Sequence, residues 1–332
     1  VHRHPGKRWS FAGYHVPQIV MPMHYADPEK WQKLVDKMNG KGNTPLHVFY
    51  NEVCGESWDS GSKLVTVTDL KKAACLPWKR ELEDAQKHCD GYVHTFCSVD
   101  WGGGGVSRGK SDMALQSYTS IAVCGLTPNG RVDIIYGIRS MNPHDHVREA
   151  KLILGIMSTF RCSHLVHDYT GAGTVRETLL VQAGLPIDRI LPIAYTGPAK
   201  GGIIIYKPAT ATHPRAHYTM DRNRAINYCC QFIKSNVIRF FEYDYKGSED
   251  VGLLHDFLNL IEDKSGSGSG RDSYKILRDP AGPDDFAQAV TMGTMMLFQM
   301  RGRWPDLAAY EDVEVDEEVV MSTRGTQTLD WG

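Results

Sequence analysis

At 332 residues, 42% hydrophobic and 23% charged, the chain has the make-up of a folded globular protein with one large core or two domains. Its formal net charge of -2 excludes a globally basic surface, so any nucleic acid must be met by a local patch. No apolar run approaches the roughly 20 residues that span a bilayer, so a soluble chain with no membrane contact is expected.

Residues 1–88 are polar and broken by Pro and Gly, with two helical stretches, Pro28 to Met38 and Thr68 to Ala74, the second capped by Thr68-Asp69. Their own core is thin, and the segment reads as a linker or the tail of a preceding domain. The start, Val1-His2-Arg3-His4-Pro5, has neither an initiator Met nor a signal-peptide core, which points to a piece of something longer.

From Gly91 the pattern becomes regular. Tyr92 to Asp100, Ser117 to Leu126 and Val132 to Arg139 are strand candidates, and Thr127-Pro128-Asn129-Gly130 supplies a hairpin turn between the last two. Asn142-Pro143-His144 starts a helix over Val147 to Phe160, whose apolar face is formed by Val147, Ala150, Leu154 and Met157. A strand follows at His164 to His167, then a helix at Thr174 to Ala183 ended by Gly184 and Pro186, then a strand at Ile190 to Tyr195. This order predicts an α/β fold, a mixed sheet flanked by helices in which a meander is extended by parallel crossovers.

Asp221 to Ile233 is predicted as a helix, Val237 to Tyr243 as extended, and Val251 to Ile261 as a helix. Ser265 to Gly270 alternates Ser and Gly so regularly that it suggests an engineered flexible linker. Tyr274 to Leu277 is a short strand, and Asp284 to Met300 the last strong helix. The folded domain is placed at 89–305, with 306–332 as an acidic flexible tail. Eight cysteines, without CxxC spacing, read as reduced intracellular thiols.

One motif has the literal form of a P-loop: Gly104-Gly105-Val106-Ser107-Arg108-Gly109-Lys110-Ser111. A phosphate cradle needs a helix to begin at its Lys-Ser, and only Asp112 to Gln116 separates the motif from the next strand. If the glycines instead form a turn, Arg108 and Lys110 lie near the exposed end of the first strand, able to meet DNA phosphates.

That end carries Asp100, a carboxylate closing the apolar run Phe96 to Val99. Asp168 closes His164 to His167 in the same way. With the first and fourth strands adjacent, the two acids emerge at one edge and repel unless a cation lies between them. An Mg²⁺ or Mn²⁺ ion meets that need, and two such ions about 4 Å apart can hydrolyse a phosphodiester. The last helix adds a third acid. At about 100° per residue, Asp285 falls on the face of Phe286, Ala289, Gly293, Met296, Leu297 and Met300, while Asp284 points away as an alternate ligand or a helix cap. His167 faces away from Asp168, since neighbours in a strand alternate.

The strings Ser98-Val99-Asp100-Trp101-Gly102-Gly103-Gly104, His167-Asp168-Tyr169-Thr170-Gly171-Ala172-Gly173 and Gly282-Pro283-Asp284-Asp285-Phe286-Ala287-Gln288-Ala289, in that order, resemble the RNase H-like nuclease domain of tailed-phage terminase large subunits. Gly13 to Gln18 and Phe49 to Gly55 are similar to the segment joining that family's ATPase and nuclease domains. The resemblance implies metal ligands at Asp100, Asp168 and the Asp284-Asp285 pair. It also implies cleavage of concatemeric double-stranded viral DNA in the host cytoplasm, with portal protein and small terminase subunit as partners. A P-loop ATPase and a non-catalytic RNase H-like assembly module are the alternatives.

Overall fold

A computed structural model describes residues 17–38, 53, 63–102, 118–140, 145–171, 173–197, 202–211, 213–243, 252–263, 275–279 and 282–305. The chain divides into two compact units, Val1–Lys63 and Leu64–Gly332. In the first, the predicted helix at Pro28–Met38 is present. It opens on a proline whose missing N–H costs nothing there, and the Asp27 carboxylate accepts from Glu29 N at 3.0 Å.

The second unit opens with α1, Val67–Ala73. Its cap lies two residues before the expected one. Thr66 Oγ1 accepts from Asp69 N at 3.2 Å, and the Asp69 carboxylate accepts from Thr66 N at 2.9 Å, a capping box. Next come β1 (His94–Asp100), β2 (Thr119–Leu126), β3 (Val132–Ser140), α2 (His146–Thr159), β4 (His164–Asp168), α3 (Gly173–Gln182), β5 (Ile190–Thr196), β6 (Ile204–Lys207), β7 (His217–Asp221), α4 (Arg222–Lys234) and β8 (Ile238–Phe240). A 3-10 stretch at Leu253–Asn259, the strands β9 (Leu260–Asp263) and β10 (Lys275–Arg278), and α5 (Asp285–Arg301) complete it.

Eight strands form one mixed sheet in the order β6-β7-β5-β4-β1-β2-β3-β8. β1, β2 and β3 are the antiparallel meander; β1, β4, β5 and β7 run parallel. This is the expected α/β arrangement, a mixed sheet flanked by helices. β2 is buried throughout and β1 everywhere but its two ends, as strands covered on both faces must be. α5 covers one face so closely that a Cβ on Gly293 would meet Ser98 Cβ and Cys124 Sγ at 2.8 Å.

Four expectations are corrected. Residues 64–88 are no linker: Val65, Leu70, Ala73, Leu76, Trp78 and Ala85 are buried in the common core, Leu76 N donates to Phe240 O at 3.0 Å, and Trp78 Nε1 donates to Ile135 O at 3.0 Å. The region looked coreless because its apolar residues pack on elements distant in the chain, α1 chiefly against α4. Val251 to Ile261 is not an α-helix but the 3-10 stretch followed by β9, a short apolar run whose period could not separate the two. β6 and β7 were not foreseen, since their half-exposed residues follow no clean alternation. Val147, expected on the buried face of α2, is exposed; Ala150 and Met157 are buried as expected, together with Glu149, Ile153 and Ile156.

Candidate acidic site

Strand register places the acids. Asp100 pairs with Ser120, and Ser120 with Arg139. On the other side Val99 pairs with His167, so Asp100 stands level with Asp168, which pairs with Ile193. Paired residues share a face, and Arg139, Ser120, Asp100, Asp168 and Ile193 therefore form one row on the face covered by α5. The N-terminus of that helix brings Asp285.

The neighbouring acids act on Asp100 through charge. Burial pushes the Asp100 carboxyl well above the usual carboxylate range, and Asp285, Asp168 and Asp284, in that order of strength, push it further, with Arg222 opposing. Like charges gathered in a low-dielectric crevice favour the neutral form. Asp168 accepts from Thr170 N at 2.9 Å and Thr170 Oγ1 at 2.7 Å, which fixes its carboxylate beyond the strand end. Asp285 accepts from Tyr118 N at 3.1 Å, tying α5 to the start of β2.

Helical phase does not separate the two acids of α5 by burial. Every residue from Asp285 to Phe298 is buried, and so is Asp284. Their partners separate them. Asp284 sits at the N-cap yet makes no capping bond. Its carboxylate lies 3.3 Å from Arg222 Nη2 and 3.9 Å from Arg278 Nε, and accepts from Gln288 Nε2 at 2.8 Å. The first turn is capped from elsewhere: Phe286 N donates to Asp256 Oδ2 at 2.7 Å. Asp256 also pairs with Arg139 Nη2 at 2.5 Å, and burial outweighs these contacts, raising its carboxyl to about 7.

Behind Asp100 the chain is held on the opposite face. Trp101 Nε1 donates to His167 Nδ1 at 3.1 Å, so the acceptor nitrogen is Nδ1 and Nε2 donates to Glu177 Oε2 at 3.0 Å. His167 thus faces away from the acids, as expected. Burial raises the Glu177 carboxyl, but its bonds with His167 and with Arg215 Nε, at 2.8 Å, outweigh this and hold it below the usual value. Arg176 lies over the Trp101 ring and donates to Gly102 O at 2.9 Å, while Gly102 N donates to Thr119 Oγ1 at 3.1 Å. None of Arg176, Glu177, Arg222 or Asp256 carried a sequence signal, because each is identified by a partner distant in the chain.

The donor set is all oxygen, which suits a hard divalent cation, and the buried Ser120 and Tyr195 hydroxyls beside the acids lack hydrogen-bond partners. Among the described residues, however, no group of three or more His, Cys, Asp or Glu side chains is drawn together as a ready metal cage. The P-loop-like segment Gly104 to Ser111, with Arg108 and Lys110, lies outside the described residues, as do Ser265 to Gly270 and the tail 306–332. β2 begins at Thr119, eight positions after Ser111. No described helix is long and apolar enough to cross a membrane.

No family model matches the chain, and no curated protein does. The solved structures it resembles include large terminases and terminase nuclease domains. The large terminase nuclease of thermophilic phage G20c is 13% identical over 69% of this chain and 96% of its own, with a TM-score of 0.40. A mutant gp2c of the bacteriophage Sf6 large terminase subunit, with calcium, is 10% identical over 70% of this chain and 98% of its own, at 0.45. The HK97 large terminase is 11% identical over 70% of this chain, at 0.43, and the chain spans 43% of its length.

Proposed function

We propose that this chain is a metal-dependent endonuclease that hydrolyses phosphodiester bonds of double-stranded DNA, cutting concatemeric viral genomes during packaging in the host cytoplasm, with portal protein and small terminase subunit as partners. The observation that carries this reading is the strand register that sets Asp100 level with Asp168 on the face covered by α5, the helix that Asp285 heads; these acids act on one another as like charges. Such repulsion is relieved by a bound cation, and an oxygen donor set favours Mg²⁺ or Mn²⁺.

Asp100, Asp168 and Asp285 would hold the metal, which when bound supplies a polarised water and charge neutralisation for the scissile phosphate. The Thr170 bonds hold the Asp168 carboxylate in place, and the Tyr118 bond does the same for Asp285. Asp284 keeps Arg222 beside the acids rather than acting as a principal ligand. The Trp101-His167-Glu177 chain keeps the backbone after Asp100 from shifting when substrate enters.

Asp100→Ala and Asp168→Ala should each lower plasmid cleavage in Mn²⁺ by about a hundredfold or more while the circular dichroism spectrum stays that of the wild type. Retained cutting by both variants would sink the assignment. The second reading is an RNase H-like assembly module that binds no metal. Calorimetric titration with Mn²⁺ separates the two: a saturable isotherm lost in Asp100→Ala supports the nuclease, and no heat of binding supports the module.

A further inference from the structure

Tyr195 lies on β5, two residues beyond Ile193, the residue paired with Asp168. Residues two apart on a strand share a face, so its ring rises on the face of Asp100 and Asp168, past the end of β4. Its hydroxyl oxygen is shielded from solvent and has no hydrogen-bond partner among the described residues. A buried hydroxyl left unpaired costs about 1–3 kcal/mol, and removing the oxygen would end that cost without disturbing the packing of the ring.

The surroundings of the hydroxyl name what it awaits. Asp100 and Asp168 act on it electrostatically, with Arg222 in opposition. A tyrosine hydroxyl is a neutral donor at ordinary pH, and this one bonds to neither carboxylate. Carboxylates cannot donate, and the guanidinium of Arg222 is engaged with Ile276 O at 2.8 Å and with Asp284. An oxygen entering between Asp100 and Asp168 has this phenol as a donor that brings no positive charge to compete with a cation.

We infer that the Tyr195 hydroxyl is a donor to an oxygen ligand in the acidic site, either a non-bridging oxygen of the DNA phosphate or the water that stands in its place, and that it orients this oxygen for hydrolysis. The inference deepens the nuclease reading and rests on it.

The test is Tyr195→Phe, which deletes one oxygen and keeps the ring. In EDTA the variant should melt at or above the wild-type temperature, and its calorimetric Mn²⁺ affinity should stay within about twofold of wild type. With Mn²⁺, kcat for plasmid cleavage should fall about tenfold or more. Affinity for a DNA duplex in Ca²⁺ identifies the oxygen: a fall in parallel with kcat points to phosphate, and an unchanged value points to water. An unchanged kcat, or a lowered melting point accompanied by lost Mn²⁺ binding, would overturn the inference. Wild-type protein that neither cuts DNA nor binds Mn²⁺ overturns the nuclease reading itself, and this inference with it.

Discussion

Asp100 is unfavourably placed for stability. Its folded-state pKa is raised, so its favourable contribution is complete below the unfolded value of about 3.9 and is lost as pH climbs through the folded value. Asn does not titrate. In EDTA, Asp100→Asn should therefore melt about 2 °C or more above wild type at pH 8, with the gap closing as pH falls toward about 4. Adding Mn²⁺ should reverse the order, since only the wild type gains the stabilisation that follows from binding an ion to the folded state. Thermal melts at the two pH values, with and without Mn²⁺, check this directly. A variant less stable than wild type in EDTA at pH 8 would contradict the electrostatic account. Asp100 and Asp168 were legible in the sequence because an acid that ends an apolar strand stands out against its neighbours. Tyr195 was not, because nothing local marks a tyrosine whose hydroxyl lacks a partner.

At the scale of the element, the decisive piece is the N-terminus of α5. Two acids head this helix, and sequence reasoning divided them by helical phase. The division fails as a statement of burial because the helix is enclosed on all sides, and an amphipathic rule has no exposed face on which to act. The distinction arises instead from partners supplied by other segments: Tyr118 for Asp285, and Arg222, Arg278 and Gln288 for Asp284. The true cap comes from Asp256, which also neutralises the buried Arg139. Asp256→Ala removes both functions and leaves a buried guanidinium uncompensated. It should cost about 3–5 kcal/mol in urea unfolding at pH 8, with Asp256→Asn in between because it retains an acceptor for Phe286 N. A loss below about 1 kcal/mol for Asp256→Ala would show that the α5 terminus is held by other contacts.

For the whole molecule, residues 64–88 extend the folded unit beyond the 89–305 domain read from the sequence. Trp78, Leu70 and Leu76 each bury a side chain, a contribution of roughly 1.5–3 kcal/mol apiece against a total domain stability of about 5–15 kcal/mol. A chain starting at residue 89 should be rapidly digested by trypsin under conditions in which one starting at residue 64 resists. Equal resistance of the two would contradict the packing described. The sequence by itself determined the strands of the meander, the crossover helices and the two strand-end aspartates, because these depend on periodicities and turns within about fifteen residues. Only the tertiary structure decided that α1 and Trp78 join the core, that Asp285 and Asp284 take different partners, and that Tyr195 stands unpaired beside the acids. Those features arise where segments far apart in the chain are brought together, and hydrogen bonds and charge between such segments leave no trace in the local pattern of residues.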